Sequence, residues 1–300
     1  MANEIRSTNS FLNDQVKYSM GSNYAKIARL SDKVTSGKNA RNYADLVGST
    51  SIEGYVSNKE VKQSLDSKIL NNTNLVHKLS EIDRVERSML DVVTDSLRLC
   101  QKARDPGVAG AVDIVGLTQN QLRKIELLLN SSFQGQKLFA GGKTDVAETV
   151  NDLTSNSNIV VGVITPNYYN GDDYILKYAI SRDRVLEYGV NANNPIFQNF
   201  IAAHNYLING DTDNALNLLQ QAKVDLGTLI IDNGSNSLAV EEQIETDKNS
   251  ASALFEAIVN TEDTDILQAM TEMANLETQL KASFQLTTKI SELSLTNYLR

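Results

Sequence analysis

The stretch QKLFAGGKTD, residues 136–145, carries the residue types of a phosphate-binding loop: Gly141 and Gly142, then Lys143 and Thr144. In such a loop the first glycine stands five positions before the glycine of the Gly-Lys-Thr step, so that successive backbone N–H groups wrap the phosphates. That position is Lys137 here, and Gly135 is two residues too far back. The flanks differ as well. A phosphate loop follows a buried strand and opens a helix, whereas LRKIELLLNSSFQ reads as helix and a polar loop follows Thr144. The stretch is read as a corner, not a nucleotide site.

Other reactive residue types are dispersed. His77 and His204 are the two histidines, and neither has a second His at i+3 or i+4. A metal site or His-based catalysis would have to be assembled from distant parts of the chain. The acidic runs Asp172-Asp173 and Glu262-Asp263-Thr264-Asp265 lack the twelve-residue spacing of a calcium loop. EDTD precedes an apolar-periodic run, where side-chain oxygens would accept from the free N–H groups of a helix start. No G-x-S-x-G nucleophile elbow occurs. Cys100 is the single cysteine. It excludes an intrachain disulfide framework and a Cys-based zinc cluster, and reads as a small apolar residue buried in a helix. The expectation is no enzyme, no cofactor and no metal. A helical enzyme with a dispersed site stays as a competing class, favoured by any convergent pocket with perturbed acids. A coiled-coil effector or adhesin is another.

Composition agrees with an interaction protein. The 300 residues include three prolines, no tryptophan and 6% aromatic residues, so Leu, Ile, Val and Ala must supply most of the core. A net charge of −9 argues against nucleic acid as a partner, which needs clustered positive charge. No run approaches the ~20 apolar residues of a membrane span, so no membrane insertion is expected. The start MANEIRSTNSFLND has no apolar core for a secretory signal peptide. Charge is unevenly spread: residues 1–140 hold 19 Lys/Arg against 15 Asp/Glu (+4), and residues 141–300 hold 9 against 22 (−13). At the ends, 1–40 is +3 and 238–300 is −7. Opposite charge favours these two segments lying together, giving direction more than strength.

Gly and Pro are absent between Gly54 and Pro106 and from Ser235 to Arg300. Unbroken helices there would be about 75 and 95 Å long at 1.5 Å per residue. Leu12, Val16, Met20, Tyr24, Ile27, Leu30 and Val34 step by three and four, one apolar stripe. Ile266, Met270, Met273, Leu276, Leu280 and Phe284 repeat the pattern near the other end. Val61, Leu65, Ile69, Val76, Leu79, Ile82, Met89 and Val93 form a comparable face. The DPG step at 105–107 predicts a turn, and 108–133 a shorter helix through Val112, Val115, Leu122, Ile125 and Leu129. Narrow stripes on long helices predict coiled-coil or bundle packing. Residues 140–194 differ: NIVVGVI, DYILKYAI and RVLEYGV, bounded by NG and NN steps, predict a small β-rich insert. Helix restarts at Pro195 and continues over 212–232, with DNGSNS (232–237) as a turn before the last helix.

The fold class is thus mainly α, a long antiparallel helical coiled-coil bundle of N- and C-terminal segments with a small β-rich inserted domain. The expected parts are a terminal coiled coil (1–45 and 262–300), a helical rod (46–139 and 195–261) and a β-rich outer domain (140–194).

The ends also carry a family resemblance. STNSFLNDQVKYSMGSNYAKIARLSDKVTSGKNA (7–40) resembles the first coil of the bacterial flagellin superfamily, including the fading of helix at Ser-Gly-Lys. EDTDILQAMTEMANLETQLKASFQLTTKISELSLTNYL (262–299) resembles its last coil. The ending LSLTNYL is similar to the close of the hook-associated protein 3 family, and QGQKLFAGGKTD to the corner where the superfamily leaves its helical domain. After SGK the family carries a Ser/Ala-Asp-Asp-Pro run; NARNYADLVGS has Ala44-Asp45 without the proline, so the conformation of 38–50 does not carry over. The resemblance covers about two-thirds of the chain. It implies a structural subunit of the extracellular flagellum joining hook to filament, exported through the flagellar type III apparatus without a cleaved signal peptide. The alternative is a short flagellin, the filament subunit itself. Implied partners are further copies of the chain in a ring, another hook-associated protein, flagellin and an export chaperone. The implied assembly interface is Leu12, Val16, Met20, Tyr24, Ile27 and Leu30 on the first coil. On the last coil it is Leu276, Leu280, Phe284, Ile290, Leu293 and Leu295.

Overall fold

A computed structural model describes residues 2–40, 52–105, 107, 112–154 and 168–298. The elements in chain order are α1 (Ala2–Ser36), α2 (Ile52–Arg104), α3 (Ile114–Leu129), β1 (Ser132–Phe133), β2 (Gln136–Lys137), β3 (Leu176–Ala179) and β4 (Val185–Tyr188). They close with α4 (Pro195–Ile208), α5 (Thr212–Glu262) and α6 (Ile266–Tyr298). The protein is mainly helical, as the stripes predict, and its strands form two small antiparallel sheets, β1–β2 and β3–β4. The chain divides into two compact units, Met1–Leu65 with Ser250–Arg300, and Asp66–Asn249.

Helix ends follow local chemistry. Asp113 caps α3 by accepting from the Gly116 N–H at 2.9 Å. Asn194 caps α4 at the Ile196 N–H, with Pro195 in the first turn where a missing donor costs nothing. α4 stops at Gly210, whose φ of +81° suits a residue without a Cβ. There the N–H of Gly210 bonds the Leu207 carbonyl and that of Asp211 the Tyr206 carbonyl. At the end of α2, Asp105 turns back to accept from the Gly107 N–H, in keeping with the predicted DPG turn.

Two expectations are corrected. The predicted turn at 232–237 is absent: α5 runs unbroken from Thr212 to Glu262. Its core face, Leu219, Leu226, Ile230, Val240 and Ile244, keeps helical spacing on both sides of DNGSNS. Asn233, within that sequence, is buried and donates to the Leu79 carbonyl of α2 at 3.0 Å. Packing over fifty residues outweighs a local turn preference worth about 1 kcal/mol per glycine. The helix predicted over 108–133 is shorter, Ile114–Leu129, and Ser132 and Phe133 instead form a strand paired with Lys137 and Gln136. Gln134 and Gly135 both have positive φ, the backbone of a tight hairpin turn. Residues 108–111, and the NIVVGVI run at 158–164, lie outside the described residues. DYILKYAI and RVLEYGV supply β3 and β4, in register Leu176 with Tyr188 through Ala179 with Val185.

The core of the Asp66–Asn249 unit is built from four helices and the segment after β2. Leu79, Ile82, Val85, Met89 and Val93 come from α2, Leu122, Ile125 and Leu129 from α3, Ile201 and Leu207 from α4, and Leu219 and Leu226 from α5. Phe139 meets Phe197 edge-on at 6.0 Å between ring centroids. Burying side chains of this kind contributes roughly 1.5–3 kcal/mol each.

Candidate functional site

The glycine corner at 139–145 is filled by the chain itself. Asp172 Oδ1 accepts from the N–H of Gly142 at 2.6 Å and of Tyr174 at 3.1 Å. Its own N–H bonds the Ala140 carbonyl. The amide that a phosphate oxygen would want is therefore held by a carboxylate of the same protein. On the other side, Asn130 Oδ1 accepts from Thr149 and Val150 N–H while its Nδ2 donates to the Val150 carbonyl, pinning the loop to the end of α3.

His204 meets Ser96 at 2.8 Å between Nε2 and Oγ, a pair 108 residues apart that sequence spacing gave no means of finding. Both side chains are wholly buried. Nδ1–H donates to the Phe200 carbonyl at 2.7 Å, which leaves Nε2 as an acceptor, and the Ser96 hydroxyl lies equally close to the Val92 carbonyl. Burial pulls the imidazole down to about 4, against the opposing hydrogen bond to Phe200. The pair is a core hydrogen bond joining α2 to α4, with no exposed atom for a substrate to reach. Cys100 is buried as expected, its Sγ 3.2 Å from the Thr212 carbonyl, and burial pushes its thiol up, which disfavours the reactive thiolate. His77 lies exposed on α2. Among the described residues no group of three His, Cys, Asp or Glu is placed to hold a metal ion, and no helix is long and apolar enough to cross a membrane.

The arrangement that gathers the predicted interface residues is the pair α1 and α6, which pack on each other. Met20 Sδ lies 4.0 Å from Thr287 Oγ1, and the backbones of Lys38 and Asp263 form an antiparallel bridge, so the two helices run antiparallel. Leu276 and Leu280 are buried in this pair; Val16, Met20, Ile27, Leu30 and Ile290 are half-buried. Leu12, Tyr24 and Phe284 stay 41%, 53% and 47% exposed. The side chains of Leu293 and Leu295 lie outside the described residues. One sequence stripe thus divides into a part used within the chain and a part left at the surface.

A hydrogen-bonded clasp closes one end of the pair. After α1, Gly37 takes φ +70° and its N–H returns to the Lys33 carbonyl. The following residues lie along Thr261–Thr264, the end of α5 and the step to α6: Asn39 N–H bonds the Glu262 carbonyl at 2.7 Å, and Thr264 N–H the Gly37 carbonyl at 3.0 Å. Asn39 also donates through Nδ2 to the carbonyls of Thr261 and Asp263 and accepts at Oδ1 from the Thr264 hydroxyl. Glu262 collects Lys59 at 2.7 Å, the Tyr55 hydroxyl and Lys38 at 3.5 Å. Lys59 first, then Tyr55, holds its carboxyl down at about 2. Of the EDTD run, Asp265 is the predicted helix cap, accepting from Gln268 N–H at 3.0 Å; Glu262 is an anchor for three partners, a role that the run alone did not reveal.

No family model and no curated protein matches the sequence. Among solved structures, the chain is similar to a "putative flagellar hook-associated protein" of Vibrio parahaemolyticus. Identity is 11% and the TM-score 0.59, over 71% of this chain and 98% of that one. It also aligns with Bacillus cereus FlgL at 12% identity over 66% of this chain and 98% of that one, with a TM-score of 0.41, too low to count for the fold. With the geometry above, the first of these likenesses assigns the chain the fold of the Vibrio protein.

Proposed function

We propose that the chain is a structural subunit of the bacterial flagellum that joins hook to filament outside the cell. Its terminal helices associate with those of neighbouring copies in a ring. The observation that carries this reading is the pairing of the two chain ends, α1 with α6, in a fold shared with a protein named as hook-associated. Such a pair gains its stability from burial: Leu276 and Leu280 are covered within the chain, while Leu12, Tyr24 and Phe284 retain apolar surface for a neighbour. The sequence resemblance at 7–40, 134–145 and 262–299 supports the same reading. On it, 1–45 and 262–300 form the terminal coiled coil, 46–139 with 195–261 the rod, and 140–194 an outer domain. Leu12, Val16, Met20, Tyr24, Ile27, Leu30, Leu276, Leu280, Phe284, Ile290, Leu293 and Leu295 form the assembly layer. Another hook-associated protein and flagellin would lie on either side of the ring, and an export chaperone would cover the terminal helices beforehand.

Electron microscopy of cells lacking the chain tests the assignment. Bare hooks with flagellin shed into the medium are expected. Hooks without soluble flagellin would assign the filament-subunit role instead, and normal filaments would overturn both.

A further inference from the structure

Val16, Met20, Asn23, Ile27, Leu30 and Val34 of α1 step by four and three, and each is buried or half-buried. On α6 the same holds for Ala269, Met273, Leu276, Leu280, Ser283 and Thr287. Both rows repeat every seven residues, the spacing that keeps one helix face on its partner. Three positions break their apolar character: Asn23, Ser283 and Thr287. These gather in one stretch of the seam. Thr287 Oγ1 lies 4.0 Å from Met20 Sδ. Asn23 is one turn onward from Met20 and Ser283 one turn back from Thr287, which in an antiparallel pair is the same direction. Asn23 is 8% exposed, and among the described side chains of α1 it alone is buried. The hydroxyls of Ser283 and Thr287 donate to the carbonyls of Gln279 and Ser283 at 2.9 Å, which leaves both oxygens able to accept. The Asn23 amide makes no hydrogen bond among the described residues. A buried amide without a partner costs stability, so Asn23 is a poor choice for holding α1 tightly on α6.

It is a good choice for fixing register. Because both rows have a period of seven, sliding one helix along the other by seven residues, about 10 Å, again sets apolar side chains on apolar ones. The apolar positions therefore do not distinguish the observed pairing from its slipped alternatives. The polar positions do. One slip brings Asn23 level with Leu276 and the other with Ile290, while Ser283 comes level with Val16 or Leu30. An amide or a hydroxyl then faces an aliphatic side chain in either direction. Only the observed register brings the three polar groups together. The clasp at Asn39 also fixes register, but at the end of the seam, about four turns from Asn23. We propose that Asn23, with Ser283 and Thr287, specifies the register in which α1 pairs with α6, at the expense of the stability of the pair. The inference rests on the packing of these two helices and not on what the assembled chain builds. Asn23 selects one pairing, where the twelve apolar interface residues would strengthen several alike.

Spin-label distances on the full chain decide the matter. Lys17→Cys and Glu272→Cys place nitroxides at exposed positions of α1 and α6, and the native Cys100 is wholly buried and stays unlabelled. Dilution with unlabelled chain confines the measurement to pairs within one molecule. Asn39→Ala weakens the clasp, so that the seam alone must hold register. With Asn23 in place this variant should keep one distance, that of the otherwise unaltered chain. Asn23→Leu/Asn39→Ala should add a second distance shifted by about 10 Å, one seven-residue slip. Asn23→Gln/Asn39→Ala retains an amide and should return to one distance. Asn23→Leu alone should raise the thermal midpoint of the terminal helices by about 4 °C or more, because the uncompensated amide is gone. Circular dichroism follows that midpoint and checks that helix content is kept. A second or a diffuse distance already in Asn39→Ala would show that the polar stretch does not hold register, and overturns the proposal. So does a single unshifted distance in Asn23→Leu/Asn39→Ala. A midpoint that Asn23→Leu leaves unchanged or lowers overturns the stated cost in stability. None of these outcomes touches the hook–filament reading, which microscopy tests separately.

Discussion

At Gly141 the backbone sits at φ +67°, and a Cβ there would lie 2.2 Å from the Asp172 carbonyl oxygen. The position therefore excludes every other residue twice over, by conformation and by space. Gly141→Ala should destabilise the Asp66–Asn249 unit by about 1–3 kcal/mol, visible as a lower urea midpoint; an unchanged midpoint would mean that the corner is not held as described. The same residue explains why this motif was only half legible. The spacing from Lys137 to Gly142 was enough to set aside a nucleotide, but the purpose of the glycines became apparent only with Asp172, thirty residues away. Asn39 teaches a similar lesson on the other unit: its side chain makes three hydrogen bonds to the end of α5 and the step to α6, more than 220 residues later. Nothing within a local window distinguishes it from the other asparagines.

Among the elements, α2 and α5 illustrate what a long periodic sequence can and cannot disclose. The apolar spacing identified both as helices, yet the turn residues at 232–237 suggested a break, because Asn and Gly preferences are local and the packing of Asn233 on α2 is not. That contact also places a titratable group between helices. Glu86 is 1% exposed and lies 3.5 Å from Asn233 Nδ2, with Asp83 and Arg87 near it on its own helix. Burial foremost, then Asp83, pushes its carboxyl up to about 8 from an ordinary 4.5. Between those values the folded chain holds a proton that the unfolded chain has lost, so stability declines as pH rises through that interval. His204 acts in the other direction. Its imidazole is near 4 when folded and 6.5 when free, so stability declines as pH falls from 6.5 toward 4. The two slopes oppose each other between 4.5 and 6.5, and Glu86 acts alone from 6.5 to 8. A urea titration across pH should therefore show a decline on the alkaline side of at most about 1.4 kcal/mol per pH unit. Glu86→Gln should flatten it; a decline that persists in this variant would place its source elsewhere.

For the whole molecule, the two chain ends matter most, and here the sequence was informative about periodicity but not about allocation. Nine of the twelve interface candidates belonged to two stripes, with Ile290, Leu293 and Leu295 beyond the second. Only the packing of α1 on α6 separates Leu280, 7% exposed, from Phe284, 47% exposed, although they stand one turn apart. The distinction yields different expected phenotypes. Leu280→Asp introduces a charge into the contact between α1 and α6, so the isolated chain itself should lose terminal helix, seen as weaker circular dichroism and faster proteolysis of both ends. Phe284→Asp places its charge at the surface, so the isolated chain should keep its helix content and resist proteolysis as before. On the assembly reading, both variants fail to form rings, one for want of a folded end and the other for want of a sticky one. Were Phe284→Asp to assemble normally while Leu280→Asp did not, Phe284 would have no part in joining copies, and the assembly layer would have to run through the other exposed apolar residues, Leu12 and Tyr24 among them.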